Sequence, residues 1–491
     1  MDHTEHTEAA EVSGVEPETS ELESPGFETV DLQEFDPQWS RRNFLRSVAA
    51  AGAGLILPAS AQAAAKKPAA KPAAKPVAKP AAKAPPKPQE VKVAIIGPGN
   101  QGRNLLVQCL RIPGVRFVAV CDVWPYAQDY ASGILRKYDQ PTNKYADYQE
   151  MLEKEKDLDA VIIATPDWMH APQTRACLEA GLHVYCEKEM SNTIEGAADM
   201  VKAQRETKKL LQIGHQRRSN PRYWKGLNLI HKEKVLGRVT HCYGQWNRAR
   251  KLDLGWPKNR EMDKATLEKY GYDTMERFAN WRWYRKFSGG PIADLGSHQV
   301  DIFGWFLKTN PVAVQAQGGP DYYKNNEWYD NIQTLFEFKT EQGPVRAMYQ
   351  VLNTTSYGGY YEVFMGDAGS LEISEDVNRG TLFPEPVAPK KEWVDKAKAI
   401  EKEGKVGVLL TVGETLQAGG KKGPSGSKLE LALDKPPHLL HLENFFDAIR
   451  KGTPLSCPPE VGFETAVSVL RANEALATGK KYQFDPKEFH V

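Results

Sequence analysis

The feature that most constrains this chain is a glycine-rich turn between an apolar run and a helical segment near residue 97. Residues 91–96, VKVAII, are mostly apolar and β-branched, as in a buried strand of a parallel sheet. The motif GPGNQG occupies residues 97–102, and a helical pattern follows it as far as Leu110. A second apolar run, RFVAVCD, ends at Asp122, 20 residues after Gly102. This order of elements is typical of a dinucleotide-binding unit.

The glycines of the motif have distinct physical tasks in such a unit. Gly97 permits the tight turn, and Gly99 lets the pyrophosphate approach the backbone at a helix N-terminus, where the helix dipole favours negative charge. Asp122 can accept hydrogen bonds from an adenosine ribose and repels a 2′-phosphate, so the sequence predicts NAD rather than NADP. A plain tight turn is the alternative. The predicted cofactor site also includes Asn100, Gln101 and Gly102.

Strand and helix patterns alternate as far as residue 215. Strands are expected at 159–165, 182–188 and 210–215, with helices at 125–137, 169–180 and 194–206. This alternation predicts an α/β fold with a Rossmann-type, doubly wound parallel sheet, which binds ligands at the carboxyl ends of its strands. The side chains at these ends are Thr165, Pro166, His170, Glu187, Lys188 and His215. The first four are expected to contact the cofactor; for the two histidines, a structural hydrogen bond is the alternative.

After about residue 216 the pattern changes to longer strands with alternating polarity. Examples are RVTHCYGQW, YDNIQTLFEFK and PVRAMYQVL. Such alternation is typical of an open, mostly antiparallel sheet with one solvated face, so we expect a second, α+β domain. The sequence therefore predicts an NAD-binding domain at 91–215 and a substrate and oligomerisation domain at 216–491.

Four motifs carry a family resemblance. GPGNQG with Asp122, TPDWMH at 165–170, CEKE at 186–189 and GGPIADLGSH at 289–298 resemble, in this order, the Gfo/Idh/MocA oxidoreductases. The resemblance extends over residues 91–491 and includes the closing segment HLENFFDAIRKGTPLSC. It implies that Lys188, Asp294 and His298 are the catalytic residues, and that the chain forms a homo-oligomer through the sheet of its second domain. Where the family commonly has Pro after the lysine, this chain has Glu189.

The chemistry of these three residues agrees with the resemblance. Asp294 and His298 are four positions apart in a helical pattern, so they share a face. A carboxylate beside an imidazole can orient it and tune its pKa, as a general base for a hydroxyl proton requires. Lys188 can polarise the same oxygen. The alternatives are a surface or capping pair for Asp294 and His298, and a salt bridge to Glu187 or Glu189 for Lys188.

The composition of the N-terminal 90 residues is typical of an export signal followed by a linker. Residues 1–40 hold twelve acidic residues and no Lys or Arg, and SRRNFL at 40–45 is a twin-arginine pattern. A charge-free, Ala/Gly-rich run ends in AQA at 61–63, which predicts cleavage after export. We therefore expect a signal region at 1–63, recognised by the twin-arginine translocation machinery, and a periplasmic protein; an anchoring helix is the alternative. Residues 64–90 form an Ala/Lys/Pro linker.

Composition limits the partners of the remaining chain. Residues 91–491 carry 54 basic and 50 acidic side chains, a balance that argues against nucleic-acid binding. The histidines and six cysteines show no metal-binding spacing. An aromatic and Arg-rich stretch can stack on sugar rings or form a subunit interface; it comprises Trp246, Arg248, Arg250, Trp256 and residues 281–285.

These features predict an exported nicotinamide-dependent oxidoreductase with a tightly retained cofactor. Its expected substrate is a secondary hydroxyl of a sugar, glycoside or polyol. One alternative is a glycoside hydrolase that uses NAD transiently, by oxidation, elimination and reversal of the oxidation. Another is a non-catalytic sugar-binding protein on the same fold.

Overall fold

The first domain is built on a six-stranded, fully parallel sheet. The computed structural model describes residues 88–249, 254–376, 379–385, 412–416, 422–428 and 435–491. The strands lie in the order β3-β2-β1-β4-β5-β6, which places the glycine-rich turn after a central strand. They are β1 Val91–Ile96, β2 Val115–Cys121, β3 Asn143–Tyr145, β4 Ala160–Ile163, β5 His183–Cys186 and β6 Leu211–Ile213. The predicted doubly wound sheet is confirmed.

Helices connect these strands and begin with recognisable signals. Helix α2 has Pro125 in its first turn, where no backbone N–H is needed, and basic residues in its last turn. The Thr193 side chain caps helix α5 by accepting a hydrogen bond from Gly196 N at 3.1 Å. The helices are α1 Asn100–Cys109, α2 Pro125–Lys137, α3 Tyr148–Lys154, α4 Asp167–Glu179 and α5 Ile194–Thr207.

Among the described residues, the second domain contains a ten-stranded mixed sheet. Its order is β14-β15-β13-β12-β11-β7-β10-β9-β8-β16, and all pairs are antiparallel except the central parallel pair β7–β10. The strands are β7 Val239–Asn247, β8 Pro311–Gly319, β9 Asn331–Thr340, β10 Gly343–Leu352, β11 Tyr360–Gly366, β12 Gly369–Ile373, β13 Thr381–Pro384, β14 Val412–Leu416, β15 Lys422–Lys428 and β16 Tyr482–Gln483. The predicted mostly antiparallel sheet is confirmed.

The second part also contains helices, some of which pack on this sheet and on the first domain. They are α6 Pro221–His231, α7 Lys264–Lys269, α8 Met275–Ala279, α9 Ser297–Leu307, α10 Pro437–Lys451 and α11 Pro459–Thr478. A π-helical turn, Ile292–Gly296, leads directly into α9. Helix α11 packs on α5 and β8, and α10 packs on α1, so one hydrophobic core is continuous between the sheets.

Two further findings concern the cysteines and the length of the apolar helices. All six cysteines are buried free thiols. In the described part of the chain, no helix is both long and apolar enough to cross a bilayer. The signal region 1–63 lies outside the described residues, as does all of the linker 64–90 except its last three positions.

Candidate active site

The glycine-rich turn has the shape of a phosphate cradle. Gly97 has a φ of +82°, and a Cβ there would lie 2.7 Å from the backbone nitrogen of Thr165. A Cβ on Gly102 would lie 2.3 Å from the Gly97 carbonyl oxygen, so both positions require glycine. A Cβ on Gly99 would meet no described atom within 4 Å, and no side chain caps helix α1 there. An open approach to an uncapped helix N-terminus fits a pyrophosphate.

Asp122 follows β2 at the edge of this cradle. Its carboxylate accepts a hydrogen bond from the backbone N–H of Trp124 at 2.8 Å. Burial raises the pKa of Asp122 to about 7, although the Trp124 N–H and the Arg103 guanidinium favour the charged form. The side chain stands where a dinucleotide places its adenosine ribose, so the residues present fit NAD.

Thr165 and Pro166 connect β4 to α4, and His170 lies in the first turn of α4. Thr165 Oγ1 donates to Gln173 Oε1 at 2.7 Å, and Pro166 is the residue that precedes the first turn of α4. The two ring nitrogens of His170 lie 2.6 Å from the Glu189 carbonyl oxygen and 2.7 Å from that of Thr165. The His170 ring thus ties together the segments after β4 and β5, which is the structural role left open by the sequence. Its contact with the cofactor stays a prediction.

Gln101 and Glu187 meet across the same edge. Gln101 Nε2 donates to Glu187 Oε1 at 3.1 Å, although the two residues lie 86 positions apart. The Tyr185 hydroxyl lies 3.5 Å from the same oxygen. The structure therefore brings two of the predicted cofactor residues together at the N-terminus of α1.

Lys188 pairs with Asp294 from the π-helical turn. Lys188 Nζ lies 3.7 Å from Asp294 Oδ1, and the side chains are only 11% and 14% exposed. The ammonium group also donates to the Asp294 backbone carbonyl. The Lys188–Glu189 peptide bond is cis. Burial raises the pKa of Glu189 to about 8, so this neighbouring carboxyl is largely neutral at pH 7.

The Asp294 carboxylate is shared among three cations. Besides Lys188, Arg282 Nε lies 3.1 Å from Oδ1 and Arg248 Nη2 lies 3.8 Å from Oδ2. Both arginines belong to the stretch that the sequence assigned to a sugar site or a subunit interface. Because Arg248 and Arg282 lie beside Asp294, they belong to the candidate active site.

Other members of the aromatic stretch belong to the core. Trp283 and Tyr284 are buried in a cluster with Phe287, and Trp256 packs against it from the edge. Arg285 stacks on Trp328 at 4.4 Å from the ring centroid. Their primary task is packing, which the composition of the stretch could not distinguish from ligand contact.

His298 begins helix α9 close to this ion pair. The Trp246 ring lies 5.4 Å from the imidazole, centroid to centroid, and the His215 ring lies 6.3 Å away. Among the described residues, His298 Nδ1 has no hydrogen-bond partner. Burial and the charge of Lys188 hold the pKa of His298 well below its usual range. The imidazole is therefore neutral, as a proton acceptor must be.

His215, at the end of β6, lies behind His298. It is fully buried, and neither ring nitrogen has a hydrogen-bond partner in the described part of the chain. Burial lowers its pKa to about 4. The described residues contain no group of three or more His, Cys, Asp or Glu side chains arranged to hold a metal.

Two polar side chains near the site were not anticipated. Arg217 lies 5.7 Å from the Trp246 ring centroid, and its charge contributes to the lowered pKa of His298. His438 lies at the N-terminus of α10 and contacts Gln101. Arg217 comes two residues after the predicted strand 210–215 and could have been found there, whereas His438 follows neither a motif nor a predicted strand end.

Family models match both domains. Residues 91–215 match the oxidoreductase family model with an NAD-binding Rossmann fold, and residues 227–372 match the GFO/IDH/MocA C-terminal domain. This chain belongs to the Gfo/Idh/MocA family. The N-terminal domain is accordingly an NAD-binding Rossmann domain.

Curated relatives of this Gfo/Idh/MocA chain have two kinds of name. A glycosyl hydrolase family 109 protein of Shewanella baltica (strain OS185) is 30% identical over 280 residues, covering 56% of this chain and 59% of the relative. An inositol 2-dehydrogenase of Rubrobacter xylanophilus is 25% identical over 340 residues, covering 66% and 84%. The chain thus aligns with less than two thirds of the length of the first relative.

Solved structures share the fold. The WlbA dehydrogenase from Bordetella pertussis, in complex with NADH and UDP-GlcNAcA, aligns with a TM-score of 0.57 at 17% identity, over 81% of this chain and 99% of that one. Aldose-aldose oxidoreductase from Caulobacter crescentus, complexed with glycerol, aligns with a TM-score of 0.59 at 19% identity, over 81% and 100%. At these identities the likeness establishes the fold.

Proposed function

We propose that this chain transfers hydride between NAD and a secondary hydroxyl of a sugar, glycoside or polyol. The observation that carries the proposal is the buried Lys188–Asp294 pair beside the neutral imidazole of His298. These groups lie at the carboxyl edge of the sheet that carries the dinucleotide cradle, where such folds bind their ligands. The inositol 2-dehydrogenase relative supports a polyol or sugar substrate.

Each side chain has a defined task in this reaction. His298 accepts the hydroxyl proton, because its imidazole is neutral. Lys188 donates a hydrogen bond to the same oxygen and stabilises the negative charge that develops there. Asp294 holds the Lys188 ammonium and the Arg282 guanidinium in place. Bound NAD supplies the hydride acceptor.

The cofactor would be held by the residues of the cradle. The uncapped N-terminus of α1 and the open approach at Gly99 suit the pyrophosphate, and Asp122 suits the adenosine ribose. The remaining predicted contacts are Gly97, Asn100, Gln101, Gly102, Thr165, Pro166, His170 and Glu187.

A redox-neutral glycosidase is the second candidate, favoured by the 30% identity to a glycosyl hydrolase family 109 protein. Oxidising a ring hydroxyl acidifies the neighbouring C–H bond. A base can then remove that proton, the aglycone departs and leaves a double bond, water adds across this bond, and reduction of the carbonyl restores the hydroxyl. This sequence needs the same base and the same polarising cation, so the arrangement of Lys188 and His298 supports both reactions.

Product analysis distinguishes the candidates. The purified protein is incubated with NAD and a panel of polyols, free sugars and aryl glycosides, while nicotinamide absorbance and released aglycone are both recorded. An oxidised sugar, formed together with NADH or with a reduced carbonyl compound from the panel, supports the dehydrogenase. Aglycone release without net NADH supports the glycosidase. Bound cofactor without either product would contradict both and favour the non-catalytic sugar-binding alternative.

Export and assembly are part of the proposal. The twin-arginine pattern at 40–45 supports translocation to the periplasm, and it lies outside the described residues.

Leu335 and Met348 face each other on β9 and β10 and are 37% and 48% exposed, which supports a homo-oligomer formed through this sheet. Light scattering during size-exclusion chromatography should give a multiple of the chain mass, and a monomer would contradict the assembly.

A further inference from the structure

Helix α10 brings a histidine to the dinucleotide cradle. His438 Nε2 lies 3.1 Å from Gln101 Nε2, across 337 positions of sequence. The same amide nitrogen donates to Glu187 Oε1 at 3.1 Å. An amide nitrogen is a donor with two hydrogens, so it can serve both partners, and His438 Nε2 acts as the acceptor. Gln101 therefore joins the end of β5, the first turn of α1 and the first turn of α10.

The position of His438 is fixed by the rest of its helix. One turn further on, the buried His441 ring bonds the Ile213 carbonyl oxygen at 2.9 Å and Ser219 Oγ at 2.6 Å. Near the end of α10, Arg450 Nε donates to the Gln89 carbonyl oxygen at 3.0 Å. Contacts along both parts of the helix hold it against the first domain. His438 itself is only half-buried.

His438 also lies near the candidate base. It is one of the groups that hold the pKa of His298 low, after burial, Lys188, Arg217 and His215. The ring thus lies near both the cradle and His298. In a dinucleotide bound on such a cradle, the pyrophosphate and the nicotinamide ribose span this interval, whereas the adenosine lies toward Asp122.

We propose that His438 is a cofactor-binding residue that contacts the pyrophosphate and nicotinamide-ribose half of NAD. An imidazole is a suitable donor to phosphate oxygen or ribose hydroxyl once its hydrogen bond with Gln101 rearranges. The residue lies outside both ranges that match the family models, 91–215 and 227–372. It is therefore a contribution of the closing segment of this chain to the NAD site.

Ligand fragments test the proposal without any turnover, so the result is independent of the proposed reaction. The dissociation constants of NAD and AMP are measured by tryptophan fluorescence on the full chain and on His438→Ala and His438→Gln. His241→Ala is the matched control, because His241 is an exposed histidine on β7. Thermal unfolding of the cofactor-free proteins reports on folding.

NAD affinity should fall about tenfold in His438→Ala, the scale of one lost hydrogen bond to a charged group, while AMP affinity stays within about twofold. His438→Gln should retain the bond with Gln101 and an N–H donor, so it should fold normally and lose less NAD affinity than His438→Ala. NAD affinity within about twofold of the parent in both variants would overturn the proposal. An equal loss for AMP and NAD would also overturn it, because the cradle itself would then be disturbed.

Discussion

Burial acts on individual side chains of the site in one direction, toward neutrality. It raises the pKa of Asp122 to about 7 and that of Glu189 to about 8, and it lowers the pKa of His215 to about 4. The Lys188–Asp294 ion pair lies among these groups and is joined by Arg248 and Arg282. A few fixed charges in a weakly screening environment act strongly on a reacting oxygen.

The first prediction is that Asp122 makes the protein bind NAD more tightly than NADP. Its carboxylate should repel a 2′-phosphate, so NAD should bind more tightly, and Asp122→Ser should narrow the difference roughly tenfold. Because the raised pKa is about 7, the carboxylate loses its charge as pH falls. The preference for NAD should therefore be larger at pH 8 than at pH 6.

The dissociation constants of NAD and NADP, measured at pH 6 and at pH 8, check this preference. Asp129→Ser is the control, since Asp129 is exposed and pairs with Lys144 at 2.7 Å. Tighter NADP binding by the unmodified protein at pH 8 would contradict the role of Asp122.

The second prediction concerns His298 as the general base of the reaction. His298→Ala should lower kcat about 10²–10⁴-fold, the usual contribution of a general base, and leave the Kd of NAD within about twofold. Because its pKa is held well below the usual range, the acidic limb of kcat/KM should lie below about 6.5. Steady-state kinetics on a substrate from the panel measure the loss of kcat and the acidic limb of kcat/KM. The exposed His241→Ala is the control. Near-normal turnover of the variant would remove His298 from the mechanism.

At the scale of elements, local pattern predicted most of the first sheet and the character of the second. It missed β3, because Asn143–Tyr145 is only three residues long and mostly polar. It could not predict the parallel pairing of β7 with β10, since both strands have the same alternation as antiparallel ones. The π-helical turn at Ile292–Gly296 was also missed, because the sequence there has an ordinary helical pattern.

The site was predictable where it follows motifs and strand ends. Lys188, Asp294 and His298 do lie near one another, but the sequence paired Asp294 with His298. The structure shows the Asp294 carboxylate against Lys188, Arg248 and Arg282. Contacts that join distant segments, such as Gln101 with His438, depend on helix packing and have no local signal.

A buried charge network between the turn after β6 and strand β11 gives the third prediction. Arg217 forms an ion pair with Glu362, and its Nε lies 2.9 Å from Glu375 Oε2. Burial raises the pKa of Glu362 to about 7 even beside this cation. Arg217→Met leaves two carboxyl groups without their cation, so it should lower the free energy of unfolding by about 3–5 kcal/mol.

Urea denaturation checks this loss against Arg346→Met, a variant of an exposed arginine on β10 that lies 3.7 Å from Glu337. The control should lose at most about 1 kcal/mol. The double variant Arg217→Met/Glu362→Leu should recover part of the loss. It also removes the Glu362 carboxylate, which the single variant leaves buried without its cation. Equal stability of the two single variants would mean that the network does not stabilise the fold.

The proposed twin-arginine signal at 40–45 leads to a prediction at the scale of the whole molecule. Signal-directed export should fail when Arg41 and Arg42 are both changed to Lys, because the twin-arginine pathway reads this pair. Folded precursor should then accumulate inside the cell. Fractionation followed by immunodetection measures the distribution, and unchanged periplasmic protein would contradict the proposed route. Changing Lys66 and Lys67 in the linker to Arg is the control.

The last prediction joins export to the cofactor. An exported enzyme meets little free nicotinamide outside the cytoplasm, so a freely exchanging cofactor would leave it inactive. Folding around NAD before translocation avoids this, and the enzyme must then recycle its cofactor within one active site. A second carbonyl substrate or the redox-neutral elimination sequence would do so.

The mature periplasmic form should therefore retain nicotinamide through prolonged dialysis, at about one per chain, and denaturation should release it for quantification. His438, which borders the cradle from α10, is one residue through which the closing segment can slow its release. His438→Ala should accordingly emerge from the same dialysis with less nicotinamide than the parent. Substoichiometric cofactor in the parent, with multiple turnovers that depend on added NAD, would contradict retention and leave the family assignment intact.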